Sequence, residues 1–172
     1  MGSPRNHWRP VPAHGWWDFR PAPSRGAADV TTPPFPLQVP IDPAPDNLVA
    51  VGIDLTSVCQ IRHSLRDFGD DFLHRVFTPA EIVDCSASHD PAPHLAARFA
   101  AKEATIKALM VEDLQPPWTS IEVRRHPSGS CAIHLTGEAA RLAGARGIGR
   151  LVVSLTHEGD LAAAVVVATT RD

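Results

Sequence analysis

Six of the fifteen residues from Leu95 to Leu109 are alanine, the strongest helix former, and no glycine or proline interrupts them. The run predicts a long helix, opened by Ser88-His89-Asp90-Pro91, with Leu95, Phe99, Ile106, Leu109 and Met110 facing a core. Four of its side chains are charged in a pattern that packing does not need. Glu103 and Lys107 are four apart and so neighbours on one face, Lys102 stands beside them, and Arg98 lies one turn before Lys102. A carboxylate among several cations suits a site for a metal ion and phosphates, because the carboxylate holds the metal and the cations hold phosphate oxygens. Taken alone, Glu103 and Lys107 read equally well as an exposed ion pair worth a few tenths of a kcal/mol.

The rest of the chain from Leu48 onward alternates short apolar runs with helical spacing. Leu48–Leu55 reads as a strand ending near Asp54. Val58, Ile61, Leu65 and Phe68 recur at helical spacing and stop at Gly69, with a further turn or two over Asp70–Val76. Thr78, Pro79 and Glu81 fall at the N-cap, N1 and N3 positions of another helix, a capping box, and Phe77 is placed to staple onto Ile82. Capping accounts for Thr78 and Glu81, which are given no catalytic role. Trp118–Arg125 and Cys131–Leu135 read as a hairpin about Pro127-Ser128-Gly129-Ser130, and Thr136 as the cap of a helix reaching about Ala143. A second hairpin, Leu151–Thr156 with Leu161–Ala168, turns at Glu158-Gly159-Asp160. About five strands clustered late and four helices argue an α+β domain over residues 48–172.

Residues 1–47 differ. They hold 11 of the 17 prolines and three of the four tryptophans, which excludes a long helix or a central strand. Two readings stand for this extension: a disordered tail, or one anchored on the domain or on a neighbouring subunit by Trp8, Trp16, Trp17 and Phe35. A net charge of −3 gives no sign of general nucleic-acid binding. No apolar run is long enough to span a membrane, and the start lacks the apolar core of a signal peptide, so the chain is expected in the cytoplasm. Asn6 stands where a myristoylation signal has Ser or Thr. Cys59, Cys85 and Cys131 form no CxxC pair and are expected as reduced, partly buried thiols. Gly144, Gly147 and Gly149 follow a helix and read as a C-cap and turn, unlike a dinucleotide fingerprint.

Asp54 admits two readings: a surface strand end or helix N-cap, and a metal ligand, since a carboxylate on an apolar strand is costly to bury without a partner. His157 follows a strand and reads on its own as a loop residue. His63, His74, His89, His94, His126 and His134 are given no site role.

Three motifs taken in order point further. Arg98-Phe-Ala-Ala-Lys-Glu-Ala-x-x-Lys-Ala resembles the signature helix of the holo-acyl-carrier-protein synthases, the short-form 4′-phosphopantetheinyl transferases. Val51-Gly52-Ile53-Asp54 resembles their first strand, and Ser154-Leu155-Thr156-His157 their late Ser-x-x-His strand, so the likeness covers about Leu48 to Thr170. The resemblance implies an antiparallel sheet packed against the long signature helix. It implies Asp54 and Glu103 as ligands of magnesium, Lys107 beside the transferred phosphate, and Arg98, Lys102, His157 and Ser154 in coenzyme A binding. The implied reaction moves the 4′-phosphopantetheine arm of coenzyme A to a serine of an apo carrier protein and releases 3′,5′-ADP. The base is left open among Glu103, a metal-bound water and neutral Lys107. Such carriers present an acidic helix, for which Arg62, Arg66 and Arg75 are the candidate basic strip. The family also implies a homotrimer with active sites between subunits. Two departures stand out: Gln60 replaces a frequent arginine, and Met110 replaces the glycine that usually follows the signature helix, so the loop 110–117 is expected to be rebuilt. A non-catalytic coenzyme A or carrier-binding module of the same fold is the alternative, and a structural α+β protein with a partner-docking tail is a further one.

Overall fold

The computed structural model describes residues 46–111 and 115–171. The Pro/Trp-rich extension and the centre of the 110–117 loop lie outside the described residues. The order is β1 (Leu48–Ser57), α1 (Val58–Val76), α2 (Pro79–Ser86), α3 (Pro91–Ala108), a 3₁₀ turn (Trp118–Ser120), β2 (Ile121–Arg125), β3 (Cys131–Leu135), α4 (Gly137–Ala145), β4 (Arg150–Glu158) and β5 (Leu161–Thr169). This is the expected α+β architecture. Strands β1, β5 and β4 form one antiparallel sheet in that order, and β2 pairs with β3 in a second. Among the described residues no helix is long and apolar enough to cross a membrane.

Helix α3 is the centre of the domain, with twelve of its eighteen residues buried. Asp90 caps it by accepting from the Ala92 amide, and Pro91 occupies N1, where its missing N–H costs nothing. The alanines at 100, 101, 104 and 108 are all inaccessible to solvent, so small side chains bring the helix backbone down onto the sheet. At Gly52 there is no room for any side chain: a Cβ there would lie 1.9 Å from the Ala104 carbonyl oxygen and 2.8 Å from the Ala108 nitrogen.

The local signals resolve as their chemistry dictates. The capping box is complete: Thr78 Oγ1 accepts from the Glu81 amide, and Glu81 Oε2 accepts from the Thr78 amide at 2.9 Å. Phe77 and Ile82 pack in one cluster, as a staple requires. Helix α1 kinks at Gly69 (φ 52°), which separates the two helical stretches read from the sequence. After α4, Gly147 takes φ 69°, its amide donates to Gly144 O, and the Ile148 amide donates to Ala143 O, the two bonds of a Schellman ending.

Four local expectations are corrected. Phe68 is exposed, because it falls on the last turn before the Gly69 kink and beyond the packed face of Val58 and Ile61. Trp118–Ser120 is a 3₁₀ turn, so β2 begins only at Ile121. Thr136 sits at the N-cap of α4 without capping it, because its amide and hydroxyl both turn to the Ser120 carbonyl. Met110 is exposed, turned away from the core by φ 49°, the left-handed conformation that glycine adopts freely and that costs another residue about 1 kcal/mol. The glycine that the resemblance implies at this position thus has a backbone reason, and this chain keeps the turn without it.

The largest correction concerns Lys102. Its ammonium is inaccessible to solvent, 2.8 Å from the equally inaccessible Glu81 carboxylate. It also donates to the Trp118 carbonyl at 3.0 Å and to the Ile121 carbonyl, so all three of its protons are used. Glu81 in turn accepts from the Thr78 and Val123 amides, each at 2.9 Å. Burial pulls Lys102 below the usual lysine range, and the Glu81 charge opposes that pull. Lys102 therefore ties α3 to α2 and β2 and does not reach a phosphate.

Two stability measurements follow. Gly52→Ala should cost about 3 kcal/mol or more in urea unfolding, because the added methyl meets backbone and not a movable side chain. Lys102→Met should cost about 3–5 kcal/mol by the same measurement, since it strands the Glu81 charge in the interior, and the double variant with Glu81→Met should recover part of that loss.

Candidate active site

From Val51 onward strand β1 alternates. Gly52, Asp54 and Thr56 face α3, while Val51, Ile53 and Leu55 face away. Because β1 meets α3 at Gly52, the next inward residue, Asp54, arrives beside the C-terminal half of the helix. There Lys107 Nζ donates to Asp54 Oδ1 and to the Ile53 carbonyl, both at 2.9 Å, and Thr56 Oγ1 donates to Asp54 Oδ2 at 3.1 Å. Glu103 completes the group. Its carboxyl is pushed above the usual carboxylate range by burial first and then by the charge of Asp54, with Lys107 acting the other way. Asp54, about fifty residues from Glu103 and Lys107 in the chain, thus joins them in one cluster. Lys107 pairs with Asp54 and not with its helical neighbour Glu103, so the simple i, i+4 reading is replaced by a contact between elements.

Two carboxylates against one ammonium leave surplus negative charge, and burial sharpens it. Hard carboxylate oxygens in that state fit a divalent cation, with Asp54 and Glu103 as the residues able to hold it. No group of three or more His, Cys, Asp or Glu side chains converges among the described residues. A cation held here would take its remaining ligands from water or phosphate oxygens, the habit of magnesium.

The other expected contacts gather elsewhere. A cleft of about 450 Å³ opens between α2, the N-terminal half of α3 and the end of β4. Arg98, Arg125, His94, Thr156 and His157 line it, with Asp84 at its wall. Arg98 is buried, pairs with Asp84 and donates to the His94 carbonyl at 3.2 Å. Its Nε is buried without a partner. The His94 and His157 rings meet edge to face, 5.1 Å apart and 86° inclined. Arg98 and Lys107 are nine residues apart, which places them about 180° apart around α3. The acidic cluster and the cationic cleft therefore lie on opposite flanks of one helix.

Ser154 does not join the cleft. It points to the outer face of the sheet, in one row with Val165 and Ile53. His94, Thr156 and Arg125 are the cleft residues that the sequence did not single out. His94 had a usable signal, since it falls four residues before Arg98 and so on the same face of the helix. Of the three candidate carrier-binding arginines, Arg62 is engaged by Asp90 at 2.9 Å and Arg66 by Asp67 at 3.0 Å. Arg75 makes no ion pair among the described residues.

Comparison with known proteins shows the family. Residues 50–166 match the model of the ACPS family, described as the 4′-phosphopantetheinyl transferase superfamily. The chain is 43% identical over 121 residues to a holo-[acyl-carrier-protein] synthase of Desulforudis audaxviator, covering 70% of this chain and 92% of that protein. It superposes on the holo-[acyl-carrier-protein] synthase of Neisseria meningitidis with a TM-score of 0.63 at 30% identity, over 70% of this chain and 98% of that one. The Helicobacter pylori enzyme, solved in complex with coenzyme A, gives 0.61 at 33% identity, over 69% and 98%. The chain belongs to the 4′-phosphopantetheinyl transferase superfamily, among the holo-[acyl-carrier-protein] synthases.

Proposed function

We propose that this chain transfers the 4′-phosphopantetheine arm of coenzyme A to a serine of an apo carrier protein, releasing 3′,5′-ADP. The single observation that carries the reading is the convergence of Asp54, Glu103 and Lys107 at the β1–α3 crossing. Asp54 and Glu103 would hold magnesium, which would supply positive charge to the pyrophosphate under attack. Lys107, released from Asp54, turns its ammonium to the same phosphoryl oxygens. Arg98 and His157 hold the coenzyme's phosphates in the cationic cleft, and positioning with charge neutralisation carries the rate. The carrier's acidic helix meets the arginines of α1, of which Arg75 is the one without an internal ion pair among the described residues.

One chain does not bring the two halves together, because α3 stands between them. We read the active unit as a homotrimer in which the Asp54 cluster of one chain faces the Arg98–His157 cleft of the next. The outer face of the β1–β5–β4 sheet supports this reading. Val51, Ile53 and Leu55 are 56%, 59% and 65% exposed, and Val152, Leu161 and Val165 extend the same apolar face. Six large apolar side chains on one sheet face exceed what a monomer ordinarily leaves in water. Ser154, in the middle of that face, would then contact a neighbouring chain.

Two measurements test these readings. Full-length protein with coenzyme A and magnesium should raise the mass of an apo carrier by one phosphopantetheine group, and Asp54→Ala should lower the rate at least about 10³-fold with the fold intact by circular dichroism. A fully active Asp54→Ala protein would remove the metal assignment, and a wild-type protein that binds coenzyme A without transfer would favour the binding-module reading. Mixing unfolded Asp54→Ala and His157→Ala chains and refolding them together should restore about a quarter of the wild-type sites by random assortment. No recovery above the separate variants would place both residues in one chain's site.

A further inference from the structure

The cleft holds a titratable side chain to which the reaction described above gives no part. His94 lies on α3 one turn before Arg98, and its own carbonyl accepts from Arg98 Nη1 at 3.2 Å, so the guanidinium is held against the turn of helix that carries the ring. Its ring meets the edge or face of His157 at 5.1 Å, and both rings line the same cavity as Arg98 and Arg125. Arg98 is already matched by Asp84, while its buried Nε has no partner. The cleft thus offers an unused buried donor, the Arg125 charge and two imidazoles to whatever enters. Such a set fits a phosphate carrying two negative charges better than it fits a neutral or singly charged group.

We infer that His94 is a phosphate-binding residue of this cleft that takes up a proton as the nucleotide end of the coenzyme enters. The inference rests on the reading that the cleft holds coenzyme A. Every element around the ring contributes to its state in the empty protein. His157 on β4, Arg98 on its own helix and Arg125 on β2 disfavour a charge on His94. Asp84 on α2 favours one, and Cys131 on β3 lines the same cavity with its thiol pushed up by burial. Burial is the largest influence, and together these hold His94 below the usual histidine range. A phosphate reverses the balance. It brings negative charge to within contact of the ring and occupies Arg98 and Arg125, whose charges otherwise oppose protonation. Binding at neutral pH therefore draws a proton onto His94, and affinity falls as pH rises through the histidine range in the bound state.

The test is calorimetric titration of the full-length protein with 3′,5′-ADP at pH 7, repeated in buffers of different ionisation enthalpy to count protons. Wild type should take up about half a proton or more. His94→Gln, which keeps hydrogen-bonding capacity without a charge, should lose at least half of that uptake, bind about 3- to 10-fold more weakly and show a flatter affinity profile from pH 6 to 8. His157→Gln serves as the control for the neighbouring ring, and its uptake should stay closer to wild type. Equal proton uptake in wild type and His94→Gln overturns the inference while leaving coenzyme binding intact. Weaker binding with unchanged uptake also overturns it, since that is what a merely structural His94 would give. No nucleotide binding by wild type defeats the coenzyme reading itself, and the inference with it.

Discussion

The contact between Gly52 and the backbone of α3 sets the positions on which the rest of the domain depends. A strand and a helix normally stand apart by the width of their side chains. Here the strand offers hydrogen and the helix offers alanine, so the two backbones touch. The closeness fixes register as well as distance. With Gly52 under Ala104, alternation along β1 sends Asp54 inward at the height of Lys107, and the helical repeat places Glu103 beside them. A slip of one residue along β1 would turn Ile53 into the site and Asp54 into solvent. The alanine content of α3 is therefore as much a requirement of the acidic cluster as of helix formation.

A helix buried nearly all round in a domain this small has to be held against rotation, and apolar contact alone is poorly directional. The Lys102–Glu81 pair provides the direction. Their hydrogen bonds reach three elements, the 3₁₀ turn and β2 from the lysine, the start of α2 and again β2 from the glutamate. An ion pair taken wholly out of water adds little net stability even when fully satisfied. Its geometric demands explain its place here: a rotated α3 would leave a charge unmatched, which costs far more than a sliding hydrocarbon contact.

Much of this was readable in the chain because it is local. The capping box at Thr78 and Glu81, the Asp90–Pro91 start, the Gly69 interruption and the Gly147 ending are each determined by a few neighbouring residues, and each forms as its chemistry requires. Asp54 was legible as costly to bury, though its partner is 53 residues away. The losses come where two assignments share one local pattern. Lys102 and Lys107 both stand on a charged helix, and only the placement of α2 and β2 tells which one is interior. Glu81 satisfied its cap so completely that nothing in the sequence announced its second role. Ser154 and His157 look like one motif, yet strand alternation sends Ser154 to the outer face while His157, at the strand's end, turns into the cleft. Met110 shows the reverse case, where the usual glycine explained a backbone need that this chain meets with a strained residue.

Placing opposite charges on opposite flanks of α3 has a consequence for the empty protein. Were Asp54 and Glu103 in the same cleft as Arg98 and Arg125, the four would pair with one another, and a pyrophosphate or a cation would have to break those pairs to bind. The helix separates the two groups by its own diameter of ~10 Å, too far for either to hydrogen-bond to the other. Each side instead carries a weaker local match, Lys107 on Asp54 and Asp84 on Arg98. Both matches join one side chain to one carboxylate and leave further capacity unused, the Glu103 carboxyl on one flank and the Arg98 Nε on the other. In the proposed trimer the surplus acid of one chain and the surplus base of the next would meet only across a subunit boundary, where a metal-bound pyrophosphate would fit between them. Such a site would bind a ligand that carries both a cation and several phosphates more tightly than it binds either charge alone.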